Sequence, residues 1–195
     1  MAELPALKEK VENSMDLYGV FSKASQLLLD LQSWRRKWDS SHQAPVAATP
    51  PERKGDENEN DNSNNYTPST IRSNLTYQSM QDANAVSNYD AILILAVELM
   101  TATSFSTPWP EQTEREIQVA LKLSQEAAVE IARSIDAQTQ GPYSMTGQFM
   151  ALYAMRMAWK AFSGSATPEG RWVERKLVGF ASSKCHWHVV RETLR

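Results

Sequence analysis

Few residues in this chain combine types and spacing that do chemistry. Cys185-His186-Trp187-His188 places a thiol and two imidazoles within four residues. A metal site needs its ligands to converge, yet on a helix adjacent side chains diverge, and positions i and i+2 share no face. On a strand His186 and His188 would share one, but their surroundings read as helix. A nucleophilic Cys–His pair meets the same objection, because such partners are brought together from distant parts of a chain. Glu126 and Glu130 stand one helical turn apart with Arg133 close by, an arrangement that mimics a carboxylate site. The same spacing is the ordinary pattern of a charged, solvated helix face. No Gly-rich phosphate loop is present. The spacings therefore assign no catalytic residue, no metal ligand and no cofactor.

Two features suit contact rather than catalysis. Trp34-Arg35-Arg36-Lys37-Trp38 interleaves aromatic rings with cations, as a nucleic-acid surface does, but it also reads as a helix end with Trp38 on the core face. Arg156 stands among Met155, Met157 and Trp159. It faces either solvent or a buried carboxylate partner. Trp34, Arg35, Arg36, Lys37 and Arg156 are the candidate interaction residues.

The elements that position these groups read as helices. At 195 residues with 42% hydrophobic residues and six Trp, the chain suffices for one domain with a real core. One cysteine excludes a disulfide framework and a cysteine-built zinc site. The N-terminus has no apolar core of a secretory signal. The most apolar run, residues 91–100, is too short for a membrane span and contains Glu98, so it reads as a buried helix of a soluble protein. Net charge is −3. Residues 1–39 carry six basic and six acidic side chains, residues 40–140 six and fourteen, and residues 141–195 eight and three. The final quarter is thus net +5 and the middle −8, which reads as basic helix faces meeting acidic ones.

Periodicity predicts a helix over 6–39 with a possible interruption at Gly19. Its stripe is Leu17, Phe21, Ala24, Leu28, Leu31 and Trp38, with Arg35 at the step where the stripe would continue. Residues 40–70 are rich in Pro, Asn, Asp, Glu and Ser and read as disordered, because they have too little apolar surface to offset their ordering entropy. Residues 71–86 are ambiguous. Asn88 suits the N-cap of a helix from Tyr89 to about Thr103, stopped by Pro108 and Pro110. A long helix follows from Glu111 to about Ala137, with Ile117, Leu121, Leu123 or Ser124, Ala128, Ile131 and Ile135 on its apolar face. After Gly141-Pro142 a second helix spans 144–162 with Phe149, Leu152, Met155, Trp159 and Phe162. Thr167 then caps a last helix that starts at Pro168-Glu169 and carries Trp172, Val173, Leu177 and Phe180. It continues or restarts through Trp187 to Val190. The expected architecture is all-α, about five helices in an array: an N-terminal helical segment (1–39), a mostly disordered polar insertion (40–86) and a helical domain (87–195) that forms one globular unit with 1–39.

The wording of the second half adds a resemblance. Glu126, Glu130, Ile131, Ala132, Arg133, Ser134 and Ile135 are followed by a Gly-Pro break and the Met-rich helix with Arg156. Then comes the helix opening at Pro168-Glu169. This order is similar to the C-terminal part of the helical regulatory domain of fungal binuclear zinc cluster transcription factors. The helix ending in Trp34 and Trp38 before a polar insertion resembles the preceding segment of that domain. Of the family's F-P-L-R-V-A wording only Arg156 and its apolar neighbours match, and the six cysteines of the DNA-reading cluster are absent. The resemblance implies a nuclear, transcription-factor-like regulatory protein or fragment, tied to a biosynthetic gene cluster. It would act through a protein partner (a homodimer or a related regulator) without sequence-specific DNA binding of its own and without a membrane. Two other classes stay open: a small cyclase-like helical enzyme with an apolar pocket, and a structural interaction module.

Overall fold

The computed structural model describes residues 17–48, 67–104, 110–139 and 144–182. Five α-helices carry the fold: α1 (Leu17–Ser41), α2 (Met80–Ser104), α3 (Glu111–Thr139), α4 (Ser144–Ala161) and α5 (Pro168–Ser182). The all-α class expected from the sequence is correct. The described part of the first helix is continuous through Gly19. Residues 6–16, residues 49–66 of the polar stretch, the Gly141-Pro142 break, the Phe149 side chain and everything from Cys185 to Val190 lie outside the described residues.

α2 organises the rest. Ala83, Val86, Ala91, Leu93, Ile94, Ala96, Val97, Leu99 and Met100 are all buried, and they point around its whole circumference. A helix that is apolar all round belongs in the middle of a fold. α1, α3 and α4 pack directly on it, α4 also packs on α3, and α5 closes the outer side of α4. By length and composition alone α2 could cross a membrane, and the fold buries most of it.

The start of α2 differs from the expectation at Asn88. Ser79 caps it, its hydroxyl accepting from the Asp82 backbone N–H at 3.1 Å. Ser79 and Asp82 stand at cap spacing, so a start signal existed two turns upstream of Asn88. The two edges of the polar insertion are ordered. Residues 40 and 41 end α1, and Val46–Ala48 (β1) pairs antiparallel with Asn74–Thr76 (β2) in the register Val46↔Thr76, Ala47↔Leu75, Ala48↔Asn74. A 3₁₀ turn at Ser69–Ile71 precedes β2. Two apolar anchors explain the order, since Ile71 and Leu75 are buried, β2 against α3. Strands of three residues are too short to show alternation.

α3 spans the length expected and buries Ile117, Ser124, Ala128, Ile131 and Ile135, but Ala120 replaces Leu121, which is exposed. Pro110 precedes it, and its carbonyl accepts from the Thr113 and Glu114 N–H groups. In α4, Leu152 and Met155 are buried and Trp159 is half-buried; Phe162 is buried just beyond it. The Thr167 cap before Pro168 is present. Its hydroxyl accepts from Gly170 N–H at 3.1 Å and donates to the Phe162 carbonyl at 2.7 Å. One uncharged polar seam crosses the core between α2 and α3. Gln138 Nε2 donates to Ser87 Oγ at 2.6 Å and to Ser134 Oγ at 2.8 Å, while Gln138 Oε1 is buried without a hydrogen-bond partner.

α3 and α4 approach closely at Gly147. A Cβ there would stand 1.6 Å from the Gln138 carbonyl oxygen, so only the absence of a side chain lets the two backbones meet. Gly147→Ala is therefore expected to lower stability by about 3 kcal/mol, the upper range for overpacking, because backbone atoms rather than a side-chain tip must move. Gly179 on α5 has nothing within 4 Å of the same construction, and Gly179→Ala should stabilise by about 0.5–1 kcal/mol. Urea denaturation of both variants checks the pair, and equal midpoints for the two would contradict the close approach.

Candidate functional site

The stripe that docks α1 runs Val20, Phe21, Ala24 and Leu28, all buried, continues through the partly buried Leu31, and then reaches Arg35. A guanidinium carried to an apolar junction must find anions there, because an unpaired buried charge is far more costly than a paired one. α2 and α3 supply them. Arg35 Nη2 donates to Glu130 Oε1 at 2.8 Å and Nη1 to Glu130 Oε2 at 3.2 Å, a two-pronged pair across 95 residues of sequence. Arg35 Nε donates to Asp39 Oδ1 at 2.9 Å, and Nη1 lies 3.9 Å from Asp90 Oδ1. Three carboxylates thus surround one cation.

Aromatic rings wall the cluster. Arg35 lies 5.5 Å over the Tyr89 ring, Trp34 stacks on Tyr89 at 5.3 Å, Trp38 on Trp34 at 5.1 Å, and His42 on Trp38 at 3.6 Å. The Tyr77 hydroxyl is buried beside the same charges, and neither it nor Asp90 Oδ2 has a hydrogen-bond partner.

Burial dominates the proton affinities here. It raises Asp90 well above the ordinary carboxylate range, helped by the neighbouring Glu130 charge and opposed by Arg35. Burial raises the Tyr77 hydroxyl, with Glu130 and Asp90 adding to it, and pushes Tyr89 up to about 12. For Arg35 burial acts downward, but the hydrogen bond and charge of Glu130, with Asp39 and Asp90, outweigh it, and the guanidinium stays charged.

The candidates read from the sequence separate into groups. Trp34 and Arg35 belong to the cluster. Arg36 and Lys37 are exposed on the outer side of α1. They do not cap the helix end, whose last turn carries no basic residue. The hydroxyls of Ser40 and Ser41 take the Lys37 carbonyl, and Ser41 and the His42 N–H take that of Trp38. Arg156 is half-buried on α4, away from the others, and among the described residues no carboxylate lies at ion-pair distance from it. Among the described residues Glu126 pairs with Lys122, at 3.9 Å with both exposed, a contact worth little. Arg133 instead donates through Nε to the Ser73 carbonyl at 2.7 Å and secures β2 to α3.

Glu130 was legible only as half of a solvated carboxylate pair. Asp90, Tyr77 and Tyr89 were not singled out at all. The available signal was Asp90 itself: an acid at the mouth of the most apolar run needs a buried partner, and Arg35 on the stripe of another helix needs the same.

Chemically the cluster behaves as a clamp. The guanidinium spends its planar fork on Glu130 and its Nε–H on Asp39, which leaves it poorly placed to receive a substrate anion. The open depression along α3, lined by Gln125, Glu126, Val129, Glu130 and Arg133, reaches the cluster only at Glu130. The chain matches no family model, no curated protein and no solved structure.

A double-mutant cycle measures the clamp. Arg35→Met should cost about 2 kcal/mol, less than the ~3–5 kcal/mol of a fully buried pair because both groups still touch water. Glu130→Gln in the Arg35→Met background should then cost much less than it does alone, a coupling of at least about 1 kcal/mol by denaturant titration. Additive losses would contradict the pairing.

Proposed function

We propose that this chain is a regulatory protein or fragment of the transcription-factor type that works through protein contacts rather than through a DNA-binding module within these residues. The observation that carries the reading is the use made of Arg35. The strongest cation–carboxylate constellation among the described residues holds α1 to the helical body instead of facing a cavity. Near the end of α1 the edge of Trp34, 38% exposed, stands beside the exposed Arg36 and Lys37, and tryptophan and arginine are residue types enriched in protein interfaces. The resemblance of residues 111–195 to the regulatory domain of zinc cluster transcription factors supports a nuclear site of action. It also supports a partner that is either a second copy or a related regulator, and a role in a biosynthetic gene cluster.

The test is a reporter. The full chain, fused to an unrelated DNA-binding module upstream of a reporter gene, should change transcription, and Arg36→Glu with Lys37→Glu should weaken the effect while leaving the protein folded. A reporter indifferent to the fused chain would contradict the reading.

DNA binding separates it further. With a net charge of −3, the protein should bind duplex DNA weakly through the basic C-terminal quarter at low salt and lose that binding by about 150 mM salt, since phosphate contacts alone fall steeply with ionic strength. Fluorescence anisotropy with labelled duplexes checks this, and sequence-selective binding at physiological salt would contradict it.

A further inference from the structure

The clamp carries one carboxylate more than its cation accounts for. Glu130 takes both prongs of Arg35 and Asp39 takes Nε, while Asp90 stands 3.9 Å from Nη1, 2% exposed, with Oδ2 bonded to nothing. The groups that face Asp90 come from each element packed around it: Arg35 and Asp39 from α1, Glu130 from α3, and the Tyr77 hydroxyl from the segment after β2, next to Arg133. The charges of α4 gather further along α2, where Lys160 pairs with Glu98. An ionised Asp90 in this setting is a third negative charge, short of donors and shielded from water. A neutral Asp90 fits it.

We propose that Asp90 is a proton switch for the docking of α1, which lies firmly on α2 when Asp90 is neutral and loosens when Asp90 ionises. Lifting α1 removes Arg35 and the Trp34–Tyr89 stack from above this part of α2 and admits water to Asp90. The docked state therefore holds the Asp90 proton more tightly than the undocked state does. By linkage, docking is strongest below the ordinary carboxylate pKa of about 3.9 and weakens as pH rises towards the higher docked value. Each tenfold difference in proton affinity between the states weakens docking about tenfold over that window. Release also uncovers Val20, Phe21, Ala24 and Leu28, together with the surface of α2 they cover. The two events are linked whatever α1 contacts, so the switch stands or falls apart from the regulatory reading.

Hydrogen exchange of the full chain, followed by mass spectrometry from about pH 5 to about pH 9, tests it. α3 serves as the internal reference for the pH dependence of exchange chemistry. The protection of α1 relative to α3 should fall as pH rises in the wild type and stay flat in Asp90→Asn. Asp90→Ser, uncharged and smaller, provides a second variant should the amide disturb packing. A constant ratio in the wild type, or the same fall in both uncharged variants, would overturn the proposal.

Discussion

The structure depends on one constraint: a guanidinium has to sit where three helices meet. Among the described residues α1 contributes no other long-range ion pair to the body, and its main packing partner is α2. Arg35 extends that contact to α3 and thereby fixes the rotation of α1, because a fork that must meet Glu130 with two prongs tolerates little turning about the helix axis. Hydrophobic packing by Val20, Phe21, Ala24 and Leu28 is non-directional and would accept several registers. The clamp selects one of them, and in doing so stacks Trp34 on Tyr89 and brings Asp90 under cover.

The remaining polar contacts follow the same logic on a smaller scale. Asp136 of α3 receives Asn74 from β2 at 3.2 Å and Lys176 from α5 at 2.9 Å, while Lys176 also lies over the Trp172 ring. Arg133 reaches the Ser73 carbonyl. One helix therefore gathers elements that adjoin it from four directions, using groups spaced at turns of its surface: Glu130, Arg133, Asp136 and, facing inward, Ser134 and Gln138. The solvated face that the sequence suggests for Glu126 to Arg133 is solvated only at its upstream end.

How much of this the sequence discloses depends on the range of the interaction. Local signals were sufficient for the long elements: the three-four spacing of α3, the Thr167-Pro168 start of α5 and the apolar run inside α2 all lie where they were read. The start of α2 was misplaced because Asn88 and Ser79 both suit an N-cap, and only tertiary burial of Ala83 and Val86 selects the earlier one. The ordered edges of the polar insertion were hidden for a similar reason, since Ile71 and Leu75 are single apolar residues whose anchoring appears once α3 is beside them. The site was half visible. Arg35 broke the apolar stripe of α1 at a core-facing step, but its partner lies 95 residues away on a helix face that looked fully exposed. Pairing between helices leaves no trace in spacing along either one.

The direct measurement of this account is the side-chain NMR spectrum of Arg35. A two-pronged pair with Glu130 should slow rotation of the guanidinium and give separate, exchange-protected Nη–H signals for Arg35, which merge on Glu130→Gln, while exposed Arg36 remains averaged throughout. A single averaged signal for Arg35, indistinguishable from that of Arg36, would contradict the clamp on which the placement of α1 rests.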